Sequence, residues 1–346
     1  MNAPLPHFDH IHSAHCESGA FAALLRRDGL RLSEAMVFGI GSGLFFLYLP
    51  FVKIYDLPLT SYRDMPNAII ARGARRLGVK LVRTRYRDPV RGMQALDRML
   101  AEGRAVGMQT GVFWLPYFPR DMRFQFNGHH VIAYGRQGDD YLLSDTVFED
   151  VVRCPTEDLC RARFSKGPLA PRGLLYYLDS RTASPDIERA VRDGLRTTVS
   201  RMLNIPLPLM GVAGIRALAG ALAKWPERLS PHAARSHLAN VIRMQEEIGT
   251  GGAGFRFMYA AFLDEAADVL GKPALREASA ELSEIGDQWR EFAVRGAQLI
   301  CRAGASDGAS PAAFRALADI LLHCARRERE VFRALGGMLR NAGGRA

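Results

Sequence analysis

The sequence predicts an α+β fold for the first half of the chain and an all-α fold for the second. Residues 66–110 alternate between helical and strand-like apolar spacing, and from Ile187 onward the spacing is helical to the end. A chain of 346 residues also exceeds the usual size of one domain. We therefore predict two domains, a mixed α and β domain at 1–180 and a helical domain at 186–346.

The composition is typical of a globular protein, with 48% hydrophobic and 24% charged residues. The five cysteines are Cys16, Cys154, Cys160, Cys301 and Cys324. Because their number is odd and they are scattered, we expect a reducing compartment, the cytoplasm, rather than a disulfide framework. No leader pattern opens the chain, so export is not expected. The uncharged run from Ala35 to Val52 contains three glycines and Pro50, and it is interpreted as buried protein rather than a membrane span.

The formal net charge of +10 favours acidic partners. Because no motif of a nucleic-acid-binding fold is present, nucleic acid is not expected. Between residues 72 and 87 the chain concentrates arginines, which form either a solvated face or a docking surface for an acidic partner. They are Arg72, Arg75, Arg76, Arg83, Arg85 and Arg87.

The first candidate for chemistry is Cys16, which comes just before a helical pattern formed by Phe21, Leu24 and Leu25. The pattern places Cys16 in the first turn of a helix, where free N–H groups and the helix dipole stabilise a thiolate. A small buried side chain is the alternative, because a lone cysteine is only a candidate until partners appear. Four histidines precede Cys16, but their spacing matches no structural zinc pattern, so no metal site is expected.

The next elements are a short helix and a glycine-rich turn. Ser33 is a plausible N-cap for a helix through Phe38. The glycines that follow suit a tight turn before a buried strand at Leu44–Val52. An alternative is that this aromatic strand lines a slot for an acyl chain or a pantetheine arm. The glycines match neither a phosphate loop nor a dinucleotide-binding fingerprint.

Four elements follow in residues 66–110. We predict helices at Ala68–Leu77 and Pro89–Glu102, and strands at Val79–Tyr86 and Ala105–Thr110. Gly78 and Gly103 end the two helices.

A hairpin then brings together a histidine and an acid. One predicted strand begins at His129, the chain turns around Gly138, and a second strand ends at Asp145. A carboxylate in that position can hold an imidazole in one tautomer and stabilise its protonated form. Because alternate strand residues face opposite sides, only one of His129 and His130 can face Cys16, and His130 is the reserve choice. Either histidine alone would be read as an ordinary strand residue.

In the second half, Ser230–Pro231 and Ser310–Pro311 are N-cap and first-turn signatures that begin helices. A glycine-rich break at Gly249–Gly254 precedes a helix at Phe255–Leu270, and it predicts either a tight corner or an anion site. Arg256, at the start of that helix, is the polar residue we would test for contact with substrate.

The order cysteine, histidine, aspartate resembles that of the papain-like superfamily, including the bacteriocin-processing peptidases. The chain resembles the butirosin biosynthesis protein H family more closely. The motifs that carry this second resemblance are His15–Cys16–Glu17–Ser18, Ser33–Glu34–Ala35, Phe38–Gly39–Ile40–Gly41–Ser42–Gly43, the hairpin, Gly249–Arg256 and Phe262–Leu263. The resemblance implies a papain-like first domain, in which a helix carrying the cysteine packs on an antiparallel sheet, followed by a helical accessory domain.

The resemblance also implies roles for individual residues. Cys16, His129 and Asp145 are the expected catalytic residues. The expected substrate-binding residues are His15, Glu34, Gly41, Ser42 and Arg256. The peptidases place a glutamine a few residues before the cysteine as an oxyanion donor, whereas this chain has His10. The expected oxyanion donors are therefore His10, His12 and the Cys16 N–H, and the difference argues against peptide hydrolysis.

The expected reaction is acyl transfer. A carrier-protein or coenzyme A thioester would acylate Cys16, and a small amine would then take the acyl group, in the biosynthesis of a specialised metabolite such as an antibiotic. No cofactor is expected beyond the acyl-pantetheine co-substrate, and an acidic acyl carrier protein is the expected partner. Whether the protein forms a homodimer is left open. Two other functions also stay open: a cysteine peptidase or amidase, and a binding module without catalysis.

Overall fold

A computed structural model describes residues 7–181, 184–301 and 310–341. The strands, in chain order, are β1 (Leu44–Ile54), β2 (Leu57–Arg63), β3 (Val79–Thr84), β4 (Val106–Thr110), β5 (His129–Gln137), β6 (Asp140–Ser144), β7 (Val152–Pro155) and β8 (Leu175–Arg181). The helices are α1 (Cys16–Arg27), α2 (Glu34–Ile40), α3 (Ala68–Arg76), α4 (Pro89–Ala101), α5 (Thr156–Arg163), α6 (Ile187–Leu203), α7 (Gly211–Leu222), α8 (Trp225–Arg228), α9 (Pro231–Glu246), α10 (Arg256–Leu270), α11 (Ala274–Cys301) and α12 (Pro311–Asn341). The predicted α+β class, with helices only from Ile187 onward, is confirmed for the described residues.

The chain forms two compact units. The first comprises the described residues of Met1–Val37 and Pro66–Asp186, and the second those of Phe38–Met65 and Ile187–Ala346. The chain divides after Asp186, near the link between the two predicted domains. The assignment of residues 38–65 differs from the predicted domain bounds, because these residues pack with the helices of the second unit.

The packing of the β1–β2 hairpin explains this difference. Phe46 of β1 and Tyr62 of β2 lie 5.2 Å apart between ring centroids, and Tyr62 lies 5.6 Å from Trp289 of α11. At Gly39 a Cβ atom would fall 2.1 Å from the Phe262 ring of α10, so only glycine permits this close approach. The aromatic side chains of β1 are thus covered by side chains of their own unit. This arrangement favours the predicted glycine turn over the alternative of an acyl slot.

The first unit is built on a six-stranded antiparallel sheet with the strand order β3-β8-β4-β5-β6-β7. The four elements predicted for residues 66–110 are confirmed, with ends that differ by one or two residues. The hairpin of β5 and β6 is confirmed as well, and its register pairs Ile132 with Ser144. Asp145 therefore follows β6 next to the beginning of β5.

Helix α1 is the buried helix of this unit. Its residues from Cys16 to Leu25 are all buried, and the helix packs on β4, β5 and β8. A separate apolar cluster joins α4 and α5 to the sheet through Leu96, Leu159 and Val131. Burial along most of α1 fixes the position of its first residue, Cys16.

The second unit contains the β1–β2 hairpin and helices α6 to α12. Both serine–proline signatures begin helices as predicted, α9 at Pro231 and α12 at Pro311. The Ser230 hydroxyl accepts a hydrogen bond from the Ala233 N–H at 3.2 Å, which is the expected capping contact.

Candidate active site

Cys16 is the first residue of α1 and is 7% exposed. His15 is the N-cap residue, and its Nδ1 lies 3.4 Å from the Ser18 backbone nitrogen and 2.8 Å from the Ser18 Oγ. The cap leaves Cys16 at the positive end of the helix dipole, where a thiolate is stabilised. The predicted position of Cys16 in the first helical turn is confirmed.

Glu34, at the beginning of α2, holds the chain that leads into Cys16. Its Oε1 accepts a hydrogen bond from the His15 N–H at 2.6 Å, and its Oε2 accepts one from the Ala14 N–H at 3.0 Å. The Ser18 hydroxyl donates to the same carboxylate at 3.4 Å. Burial raises the pKa of Glu34, although these donors act in the opposite direction. The structure therefore assigns to Glu34 a positioning role, and the substrate contact expected for His15 and Glu34 stays a prediction.

Replacing Glu34 by alanine should lower the free energy of unfolding by about 2–4 kcal/mol, because two backbone donors beside α1 lose their acceptor. Glu34→Gln keeps one acceptor oxygen and should cost less. Urea unfolding measures both. Glu157→Ala is the matched control, since Glu157 is an exposed acid whose removal should change stability by less than about 0.5 kcal/mol. Equal stabilities for Glu34→Ala and the control would contradict the positioning role.

His129 begins β5 and connects Cys16 with Asp145. Its Nε2 donates a hydrogen bond to the Asp145 Oδ2 at 2.7 Å, and the Cys16 side chain is close enough to the ring to contribute to the raised pKa of His129. Because Asp145 occupies Nε2, Nδ1 is the nitrogen available to the thiol. His129 is 4% exposed and Asp145 is fully buried. The structure thus brings together the three residues that the sequence singled out.

The electrostatics of His129 favour the imidazolium form. Burial alone would lower its pKa, but the Asp145 charge and hydrogen bond, together with the Cys16 thiol, outweigh burial and raise the pKa of His129 to about 10. The ring can therefore hold the proton that the Cys16 thiol gives up at neutral pH.

Sequence reasoning missed the aromatic residues around Asp145 and His129. Tyr117 donates a hydrogen bond from its hydroxyl to the Asp145 Oδ2 at 2.9 Å, and burial, followed by the Asp145 charge, raises the pKa of Tyr117 well above its usual range. Phe118 packs edge-on against the His129 ring, with centroids 5.5 Å apart. Phe148 lies 4.8 Å from Phe118. The aromatic-rich run before the hairpin was the available signal, but no spacing rule connected it with Asp145.

The other histidines are less suited to catalysis. His130 Nδ1 lies 3.0 Å from the Tyr176 hydroxyl, and its Nε2 lies 4.0 Å from Glu17 Oε2, so His130 contacts these residues rather than Asp145. This placement supports His129 over the reserve choice.

The expectation that His10 donates to an oxyanion is wrong for this structure. Its Nδ1 lies 2.8 Å from Ser144 Oγ and its Nε2 lies 2.9 Å from the Phe148 carbonyl oxygen, so both nitrogens are occupied. His12 is exposed, and its role as an oxyanion donor stays a prediction, as does that of the Cys16 N–H.

Three residues expected to bind substrate lie in the second unit, where their contacts are structural. Ser42 is fully buried with φ of 51°, and its hydroxyl donates to the Gly194 carbonyl at 3.1 Å. Gly41 is buried in the same turn. Arg256 is fully buried and forms a bidentate ion pair with Glu328, at 2.9 Å and 3.0 Å. Substrate contact by Arg256 is therefore contradicted, because its guanidinium is already paired within the core.

Replacing Arg256 by methionine should destabilise the protein by about 3–5 kcal/mol, since it leaves Glu328 charged and unpaired in the core. Denaturant unfolding followed by circular dichroism measures the change. Arg295→Met is the matched control, because Arg295 is 58% exposed and pairs with Glu291 on the helix surface. A ligand-binding Arg256 would instead tolerate replacement with little loss of stability.

Within the described ranges, no group of three or more histidine, cysteine, aspartate or glutamate side chains is arranged to hold a metal ion. No helix in the same part of the chain combines the length and the apolar character needed to cross a bilayer.

A cysteine at a helix N-terminus, next to a histidine that an aspartate orients, is the arrangement of papain-like cysteine enzymes. Residues 15–146 match the family model described as Butirosin biosynthesis protein H, N-terminal. Residues 157–335, more than half of the chain, match the model described as Domain of unknown function (DUF4872). The chain therefore belongs to the DUF4872 family, and its N-terminal part belongs to the butirosin biosynthesis protein H family, which confirms the resemblance found in the sequence.

No curated protein matches the sequence. Among solved structures, a crystal structure described as a C39-like peptidase from Bacillus anthracis is similar, at 14% identity and a TM-score of 0.34. The similarity covers 51% of this chain and 93% of that chain. A TM-score this low supports no conclusion about activity.

Proposed function

We propose that this protein is a cysteine-dependent acyltransferase that moves an acyl group from a thioester donor to an amine. The proposal is supported above all by one observation: the His129 ring hydrogen-bonds Asp145 through Nε2, and the Cys16 thiol at the beginning of α1 interacts with the same ring. A nucleophile, a base and a group that orients the base are the parts that covalent acyl transfer requires.

In the first half of the reaction, His129 takes the thiol proton and the Cys16 sulfur attacks the carbonyl carbon of the donor thioester. The bond from carbon to the donor sulfur breaks, and the donor thiolate takes the proton from His129. Asp145 stays ionised and stabilises the imidazolium. The products are an acyl-Cys16 thioester and a free donor thiol.

In the second half, the amine nitrogen attacks the acyl-Cys16 carbonyl and gives its proton to His129. The carbon–sulfur bond breaks, so that the amide leaves and the Cys16 sulfur recovers the proton. Exchange between two thioesters is nearly balanced in free energy, whereas amide formation is favourable. A cysteine therefore suits an acyl relay between a thioester and an amine.

The donor we propose is an acyl-pantetheine thioester on an acidic carrier protein, or on coenzyme A. The formal net charge of +10 suits either anionic donor. The mechanism needs no further cofactor. The family description, butirosin biosynthesis, supports a role in specialised metabolism, and the five unbonded cysteines support a reducing, cytoplasmic location.

Intact-protein mass spectrometry tests the proposal. The full chain is incubated with an acyl-N-acetylcysteamine thioester, a small donor that needs no carrier, and a panel of primary amines is then added. We expect an acyl adduct that disappears as the amide forms. Hydrolysis that outpaces amide formation would favour a peptidase or amidase, and a protein that forms no adduct from any thioester would be a binding module.

A further inference from the structure

A row of exposed arginines lies along one edge of the first unit. Strand β3 is an edge strand of the six-stranded sheet, and helix α3 packs against it. We call the exposed arginines of these elements and of the loop after β3 the basic edge, which consists of Arg75, Arg83, Arg85 and Arg87. Among the described residues, no acidic side chain forms an ion pair with any of the four. Burial and then the Arg85 charge lower the pKa of Arg83, whereas the Glu17 charge acts in the opposite direction.

Arg83 of the basic edge is related to Cys16 through strand register and two side-chain contacts. Arg83 stands directly opposite Tyr176 of β8, so the two side chains share a face of the sheet. The Tyr176 hydroxyl lies 3.0 Å from His130 Nδ1, and His130 Nε2 lies 4.0 Å from Glu17 Oε2. Glu17 directly follows Cys16 in α1. Arg83 is therefore on the same side of the sheet as the helix that carries the nucleophile.

Helix α3 is joined to α1 by a second contact. Glu17 Oε1 accepts hydrogen bonds from the Ile69 and Ile70 N–H groups at 3.1 Å and 3.2 Å, at the beginning of α3. Glu17 thus caps a helix whose last turn carries Arg75. The carboxylate that follows the nucleophile consequently fixes the position of part of the basic edge relative to Cys16.

We propose that the basic edge docks an acidic protein that carries the acyl group as a thioester on a flexible arm, so that the arm reaches Cys16. The inference rests on the proposed function and names the surface that its macromolecular donor uses. Four exposed guanidinium groups on a helix, a strand and the loop after that strand present an extended positive surface, which complements acidic side chains spread over a protein. A second copy of this chain carries the same excess of positive charge and therefore suits this surface less well than an acidic protein does.

A charged edge strand can also serve only to prevent edge-to-edge pairing of sheets. That protective role needs charge of either sign, whereas docking of an acidic protein needs positive charge. Replacing the arginines by glutamate therefore separates the two roles, since the edge stays charged while the complementarity is reversed.

The test compares two donors of the same acyl group, an acyl carrier protein and N-acetylcysteamine, by the rate of Cys16 acylation in the full chain. For the double variant Arg83→Glu/Arg85→Glu, we expect the ratio of carrier to small-donor efficiency to fall about tenfold or more. The matched control is Arg98→Glu/Arg153→Glu, which changes the net charge equally at α4 and at the opposite edge strand β7. This control should keep the wild-type ratio. In addition, affinity for labelled apo carrier protein, measured by fluorescence anisotropy, should fall in the first variant and weaken with salt in the wild type.

An unchanged ratio and unchanged carrier affinity in Arg83→Glu/Arg85→Glu, or an equal loss in the control, would overturn the docking proposal while leaving acylation of Cys16 intact. Failure of the small donor to acylate Cys16 would instead overturn the proposed function. In that case the anisotropy measurement still decides whether the basic edge binds the carrier.

Discussion

Replacing Cys16 by alanine is expected to abolish formation of the catalytic acyl adduct and to reduce acyl transfer by about 10⁴-fold or more, because the variant lacks the proposed nucleophile. Cys16 is small and lies at the first position of α1, so alanine fits without disturbing the helix. The measurements are intact-protein mass after incubation with an acyl thioester and the steady-state rate of amide formation.

Cys301→Ala is the control for this experiment. Cys301 is an exposed thiol in the second unit, so it is the cysteine most open to non-specific acylation by a reactive thioester. The control should keep both the adduct and the full rate of transfer. An adduct of unchanged yield on the Cys16→Ala protein would show that the label resides elsewhere and would contradict the proposed nucleophile.

Replacing Asp145 by asparagine is expected to reduce the rate by about 10²–10⁴-fold with little change in structure, since the side chain keeps its size but loses its charge. Nε2 of His129 then lacks an anionic partner, and the proton taken from Cys16 is held less well. Steady-state kinetics measure the loss. Asp139→Asn, at the exposed turn of the same hairpin, should leave the rate unchanged.

The same substitution should alter the dependence of stability on pH. The pKa of His129 is raised in the folded protein, from 6.5 to about 10, so its protonated form stabilises the fold fully below about pH 6.5. This contribution is lost as pH rises through about 10. Urea unfolding across this range should show that the difference in free energy of unfolding between the wild type and Asp145→Asn decreases as pH increases. Parallel pH profiles for the two proteins would contradict the coupling between His129 and Asp145.

Features that depend on neighbouring residues were predictable from the sequence. Helix α1 begins at Cys16, as the spacing of Phe21, Leu24 and Leu25 indicated, and the serine–proline signatures mark the beginnings of α9 and α12. The hairpin was also predictable, because its strands are adjacent in the chain and its turn sets which residues meet. The hairpin alone predicts that His129 and Asp145 lie close together, without any long-range contact.

Features that depend on distant partners were not predictable in this way. The sequence does not distinguish Arg256 from a substrate-binding arginine. Only the fold shows that Glu328, 72 residues away, neutralises its charge. His10 precedes the cysteine as an oxyanion donor would, yet its ring is bonded to Ser144 and to the Phe148 carbonyl. A contact between residues so far apart in the chain produces no periodic pattern in the sequence from which it could be predicted.

The amino-acid sequence by itself determined the α+β and all-α halves, the three candidate catalytic residues and the family resemblance, since these depend on local periodicity and on the order of motifs. Only the tertiary structure decided that residues 38–65 join the helical unit, that Glu34 holds the chain before Cys16, and that Tyr117 contacts Asp145. The physical reason is that burial and hydrogen-bond partners are assigned when distant segments pack. A polar residue in the sequence is consistent with binding a ligand or another part of the chain until that packing is known.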